Sequence, residues 1–367
     1  MVNSLSRTFN RSQLFDSHCH NHRMEKPLTG LHFVEFAGIG PAPLAAMMLA
    51  DHGATGIRIE SPRPGLSFGD PAQDITRRGR EVQIIDCATP AGREQALDVI
   101  AQADLLIEGF RPGVMERLGL GPQDVAQRNP VCVYGRITGW GQSGPLAGRA
   151  GHDLNFIAVA GVLAHIGRRD QPPTPPLNLV GDYAAGTMML LVGLLAALWS
   201  AQRTGRGQVV DAAIVDGSAV LMSMFASMAQ QALWHQELGV NILDSGAPFY
   251  DVYRTSDERW MAVACLEPKF FAEFIDVAGL EVEWIDRQYD VTRWDELRTT
   301  IAHVFRSRSQ QEWDALFAHR DACVSPVLTM DQARNHPHMQ ARGIFIEHDG
   351  LIVPAPAPRF HTPTIGP

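Results

Sequence analysis

From residue 28 onward the apolar positions follow two alternating rhythms. Short β-rich runs at residues 31–36, 56–60, 81–86, 104–108 and 131–138 read as strands. Between them, residues 44–52, closed by Gly53, and residues 91–102 read as helices. Strands alternating with helices predict a parallel, doubly wound sheet. Two more helices are expected at 154–163 and 184–201, and Asp182 stands where an N-cap of the second belongs. That second run is long enough to cross a membrane. Small residues open it and a charged residue precedes it, so we expect a buried core helix instead.

The pattern changes after residue 213. Residues 214–234 read as one long helix rich in methionine and alanine. A hairpin follows at 250–254 and 260–265, with turn chemistry at Ser256-Asp257, and then two or three helices between 269 and 318. The expected fold class is α/β, a large doubly wound parallel-sheet domain plus a smaller α+β domain. A loose extension at 1–27 precedes the large domain at 28–213. A helical linker at 214–249 leads to the small domain at 250–335. A proline-rich segment at 336–367 returns to the large domain.

The chain has 367 residues, enough for about two domains. Its 45% apolar and 19% charged content is that of a soluble globular protein. A formal charge of −9 argues against nucleic acid as a general partner and leaves an anionic ligand to a local basic patch. Five scattered cysteines, with no C-x-x-C spacing, read as reduced thiols in a cytoplasmic setting. The first 23 residues lack the apolar core of a secretory signal, and Met24 is a candidate internal start. An organelle-targeting role for this extension stays open.

Three patterns invite a chemical reading. The glycine turn at 37–43 follows a strand, but Pro41-Ala42-Pro43 replaces the amide donors a dinucleotide would need. Asp16-Ser17-His18-Cys19-His20 imitates a metal motif, yet no barrel pattern follows it, so no metal site is expected. Arg58, Arg63, Arg77, Arg78, Arg80, Arg111 and Arg117 crowd an otherwise acidic chain. Several follow strand ends, so as a cluster they suggest a ligand bearing polyphosphate. His152 and Asp182 each open a helical stretch. Either is accounted for by packing or capping alone; facing each other across a pocket, they form two bases of opposite hand.

The chain resembles the family III CoA-transferases, and within them the racemase branch that acts on 2-methylacyl-CoA thioesters. The resemblance runs from about residue 28 to 363. It rests on Val34-Glu35-Phe36-Ala37-Gly38, Gly151-His152-Asp153-Leu154-Asn155 and Asn178-Leu179-Val180-Gly181-Asp182. Thr204-Gly205-Arg206-Gly207-Gln208-Val209-Val210-Asp211, Gly246-Ala247-Pro248-Phe249-Tyr250 and Leu266-Glu267-Pro268 add to it. The resemblance implies two chains interlinked as a homodimer. It implies His152 and Asp182 as the bases, Glu267 of the small domain as partner of the histidine, and Asp153 beside it. Arg63, Arg111, Arg117 and Ile39 are the implied CoA contacts. Phe156 stands where relatives usually carry tyrosine, and Ser61 where they carry arginine.

The expected reaction removes the α-proton of the thioester on one face and returns a proton on the other, through an enolate. The Asp182 amide is the expected donor to the enolate oxygen. No resident cofactor is required, since CoA is part of the substrate, and no membrane partner is expected. The alternative is a CoA-transferase in which Asp182 attacks the thioester. That chemistry has no need of His152 and Glu267 as a proton-shuttling pair.

Overall fold

A computed structural model describes residues 26–363, apart from 64, 67 and 68. The Asp16–His20 motif and nearly all of the N-terminal extension lie outside the described residues.

The large domain begins β1 (His32–Phe36), α1 (Pro41–Asp51), β2 (Thr55–Glu60), β3 (Arg80–Ile84), α2 (Pro90–Ile100), β4 (Leu105–Glu108). It continues α3 (Val114–Arg117), α4 (Pro122–Arg128), β5 (Val133–Thr138), α5 (Asp153–Val159), α6 (Met188–Thr204) and β6 (Val209–Ala213). The six strands are parallel and ordered β3-β2-β1-β4-β5-β6. This is the doubly wound arrangement the alternating pattern predicts. The order reverses between β1 and β4, and ligands bind beyond the carboxyl ends of strands near such a point. Leu105, Leu106 and Ile107 of β4 are buried because helices cover both faces.

Two elements depart from the expected pattern. The run at 209–213 forms the edge strand β6, which no alternation announces because Asp211 interrupts it. The expected helix at 214–234 is broken at Met222 into α7 (Ile214–Leu221) and α8 (Ser223–Gln230). The apolar helix α6 is only partly a core helix. Leu190, Leu191, Leu194 and Ala197 pack inward, while Met188, Val192, Leu195 and Trp199 face out.

The small domain holds the hairpin β7 (Tyr250–Arg254) and β8 (Trp260–Ala264), then α9 (Pro268–Ala278), α10 (Trp294–Phe305) and α11 (Gln310–Phe317). Strand β9 (Val324–Pro326) completes its antiparallel sheet on β8. Phe249, Phe271, Phe274, Phe305 and Trp313 fill its core, several ring against ring. Two short helices, α12 (Met330–Asn335) and α13 (Pro337–Ala341), and a hairpin of β10 (Phe345–His348) and β11 (Leu351–Pro354) follow. The tail then reaches α1 of the large domain, where the His52 ring meets the Ala357 carbonyl at 3.0 Å and the Phe360 ring edge to face.

Candidate active site

Beyond the strand ends, α5 starts at Asp153, with His152 as its N-cap. The His152 amide donates to the Asn155 side chain, and the exposed imidazole has no hydrogen-bond partner among the described residues. Among the described residues the amides of Asp153 and Leu154 have no protein acceptor. The start of a helix always leaves such donors, and they favour negative charge.

Asp182 is not the N-cap of α6. It lies inside a segment of wide helical turns, Leu179–Thr187, that runs into α6. There the Met188 amide donates to the Tyr183 carbonyl five residues back, and the Thr187 hydroxyl donates to the Asp182 carbonyl. The Asp182 amide is committed as well, donating to Asp153 Oδ2 at 2.6 Å. The expectation that this amide holds the enolate oxygen is therefore corrected: a buried carboxylate already occupies it.

The Asp182 side chain is held from two directions. Asn178 Nδ2 donates to its Oδ2 at 3.2 Å. Gly40, at the end of the turn after β1, comes so close that a Cβ there would sit 3.1 Å from the same oxygen, with φ at +73°. Burial pushes the Asp182 carboxyl above the usual carboxylate range. The Asn178 hydrogen bond opposes this shift, the charge of Asp153 adds to it, and that of His152 opposes it. Asp153 accepts from the Asp182 amide and directly follows His152, so the chain brings His152, Asp153 and Asp182 together.

Glu267 is not brought to them. It is the exposed N-cap of α9, and its charge is felt at Cys323 and Tyr289. Among the described residues of one chain it has no contact with His152.

The arginines separate into two groups, which corrects the reading of one phosphate cluster. Arg58 and Arg80 both pair with the fully buried Glu35 of β1, Arg80 at 3.0 Å. Arg77 pairs with Glu60 at 2.7 Å and Arg78 with Asp51 at 2.5 Å. Four of the seven are therefore internal braces. Arg111 and Arg117, after β4, are exposed and form no ion pair among the described residues. Arg63, after β2, leans on Asp86 at 3.3 Å and is largely exposed. Ile39, after β1, is exposed too. Asn178 escaped the sequence reading, because an amide four residues before a carboxylate has no signature until the turns between them are known.

Comparison with known proteins gives a consistent picture. The sequence model of CoA-transferase family III matches residues 28–364. The α-methylacyl-CoA racemase of Mus musculus is 41% identical over 331 residues, covering 90% of this chain and 85% of that protein. The Homo sapiens racemase of the same name is 41% identical over 342 residues, covering 92% and 88%. A solved structure of a CAIB/BAIF family protein from Brucella suis superposes with a TM-score of 0.78 at 24% identity, covering 92% and 93%.

Proposed function

Since this chain belongs to CoA-transferase family III, we propose that it racemises 2-methylacyl-CoA thioesters by proton transfer at the carbon next to the thioester carbonyl. The observation that carries this reading is the convergence of an exposed imidazole, His152, with a carboxyl, Asp182, raised in pKa by burial. The 41% identity to two racemases over some 90% of the chain supports it.

The α-proton of a thioester is far too weakly acidic to leave unaided at neutral pH. One base removes it while hydrogen-bond donors hold the charge that builds on the oxygen. The pair works with one proton between its members. With His152 protonated, Asp182 takes the α-proton and His152 delivers one to the opposite face. With Asp182 protonated, the roles reverse and the other enantiomer reacts. The free amides of Asp153 and Leu154 are the donors we assign to the enolate oxygen, in place of the Asp182 amide. The protein's own bases suffice, and CoA enters with the substrate. Arg111, Arg117 and Arg63 are the cations we assign to its phosphates, and Ile39 to its apolar parts.

His152 gains the carboxylate expected of it when Glu267 comes from a second copy. A homodimer also gives the outward apolar row of α6 (Met188, Val192, Leu195 and Trp199) something to cover. Light scattering of the purified protein tests this, and a monomer at working concentration contradicts it.

The test of the reaction is one enantiomer of a 2-methylacyl-CoA in D₂O, followed by NMR. Loss of the α-proton signal with appearance of the other enantiomer is expected. His152→Ala lowers inversion by about 10²–10⁴-fold while CoA-ester binding persists. Binding without exchange, together with a hydroxylamine-trappable adduct at Asp182, establishes the transferase instead.

A further inference from the structure

His152, Asp153 and Asp182 stand in the large domain, and Glu267 stands in the small one. Whatever fixes Glu267 therefore fixes what the small domain brings to the reaction. Its carboxylate does nothing for its own helix. Glu267 is the N-cap of α9, where a side chain ordinarily accepts from the first amides. Here the side chain accepts no capping hydrogen bond, and the main-chain carbonyl takes the Phe270 and Phe271 amides instead, at 3.0 Å each. The carboxylate is left exposed, free to serve another group.

The main chain that leads to Glu267 is held from the core. Strand β8 ends at Ala264, whose amide still reaches the Cys323 carbonyl beside β9 at 2.9 Å. The next two carbonyls, of Cys265 and Leu266, both accept from Gln288 Nε2, each at 2.9 Å. One side-chain amide thus replaces the donors of a neighbouring strand. Two carbonyls face this end of the side chain, which identifies it as the NH₂ end. The Tyr289 hydroxyl donates to the Leu266 carbonyl as well.

Gln288 is itself locked in place. It is 2% exposed and follows the turn Val282–Arg287, and its main-chain carbonyl accepts from Trp294 Nε1 of α10 at 2.9 Å. Its side-chain oxygen, also buried, has no partner among the described residues. Burying an amide with half of its bonding capacity unused costs stability. The fold obtains in return a fixed exit from β8. The two residues before Glu267 cannot swing about the strand end while a group anchored in the core holds both of their carbonyls.

We propose that Gln288 is a positioning residue of the reaction. It holds Glu267 where that carboxylate meets His152 of a second copy. The proposal rests on the racemase reading and on the paired chains that reading includes. A misplacement of about 1 Å near the reacting atoms is enough to cost about 10²-fold in rate.

Gln288→Met keeps the length of the side chain and removes both donors. It is expected to lower kcat for a 2-methylacyl-CoA about tenfold or more and to leave KM within about twofold. Tyr289→Phe removes the third donor at a residue 51% exposed, where folding tolerates the change. It is expected to lower kcat about two- to threefold. A double-mutant cycle decides, with the slow variants followed as α-proton exchange in D₂O. In a Glu267→Gln background both losses are expected to vanish, because they pass through Glu267. Losses of equal size in both backgrounds, or no loss in either, overturn the inference and assign Gln288 to the fold alone. If Gln288→Met does not fold, Tyr289→Phe carries the cycle by the same criterion. The racemase reading survives each of these results. A wild-type protein that binds the ester and does not invert it overturns that reading, and this inference with it.

Discussion

Two groups of arginines stand around the same sheet, one beside β2 and the start of β3, the other after β4. Around β1 to β3, each of Arg58, Arg77, Arg78 and Arg80 pairs with a carboxylate, Glu35 and Glu60 each serving two of them, and the Arg80 side chain is fully buried. After β4, Arg111 and Arg117 stand in solvent with no ion pair among the described residues. The crowding of arginines in sequence conceals opposite duties. What separates the groups is the partner: Glu35, Glu60 and Asp51 lie one strand or one helix away from the arginines they neutralise. A cation already balanced inside the fold is not available to a phosphate. A cation left in solvent costs the fold nothing and keeps its charge for a ligand.

The sharpest way to break this contrast is to remove the shared carboxylate. Glu35→Ala leaves the enclosed Arg80 guanidinium without its carboxylate and Arg58 with Glu60 alone. It is expected to destabilise the protein by about 3–5 kcal/mol, read as a large fall in denaturation midpoint. An unchanged midpoint would mean that the brace contributes nothing. On the other side of the contrast, Arg117→Ala is expected to raise KM for a CoA ester about tenfold, near 1.4 kcal/mol, with stability within about 0.5 kcal/mol. Titration calorimetry with CoA and a thermal melt separate the two effects. A destabilised Arg117→Ala with unchanged KM would assign that arginine to the fold.

The same logic reaches the base pair. Among the described residues the Asn178 side chain donates only to Asp182, and that donation favours the ionised carboxyl. Asn178→Leu therefore raises the Asp182 pKa further. The acid limb of the bell-shaped kcat/KM profile marks the point where both bases hold protons. It is expected to move toward neutral pH, with the basic limb little changed. A fixed acid limb would separate Asp182 from the titration. The smallest effect belongs to Arg63, which shares its charge with Asp86. Arg63→Ala is expected to raise KM about two- to threefold, a surface-pair effect under 1 kcal/mol. Asp86→Asn, which frees the cation, is expected to lower KM by a similar factor.

Much of the fold was legible because alternating strands and helices leave a strong periodic trace. The doubly wound sheet and the hairpin of the small domain follow from that trace. The edge strand β6 escaped because its run is short and carries Asp211. The break at Met222 escaped because the apolar spacing continues across it. At the site, residue types were legible and bonding was not. Nothing in Asn178-Leu179-Val180-Gly181-Asp182 announces wide turns, since i→i+5 bonding has no residue signature. Once those turns form, the Asp182 amide meets the Asp153 carboxylate. Glu267 lies apart from His152 within one chain because it opens α9 in the small domain.

The wide turns of Leu179–Thr187 also set how this protein can change over generations. Each carries about one residue more than an α turn. A deletion of one residue between 183 and 187 would let the segment close into ordinary α-helix with its flanks nearly in register, because about six wide steps and five α steps turn by about the same angle. The carboxyl would keep its heading toward Gly40 and Asn178 while the hydrophobic face of α6 kept its place. Lineages of this chain can therefore lose one residue here more readily than they can place a side chain at Gly181, where a Cβ would run into the Asp153 carboxylate.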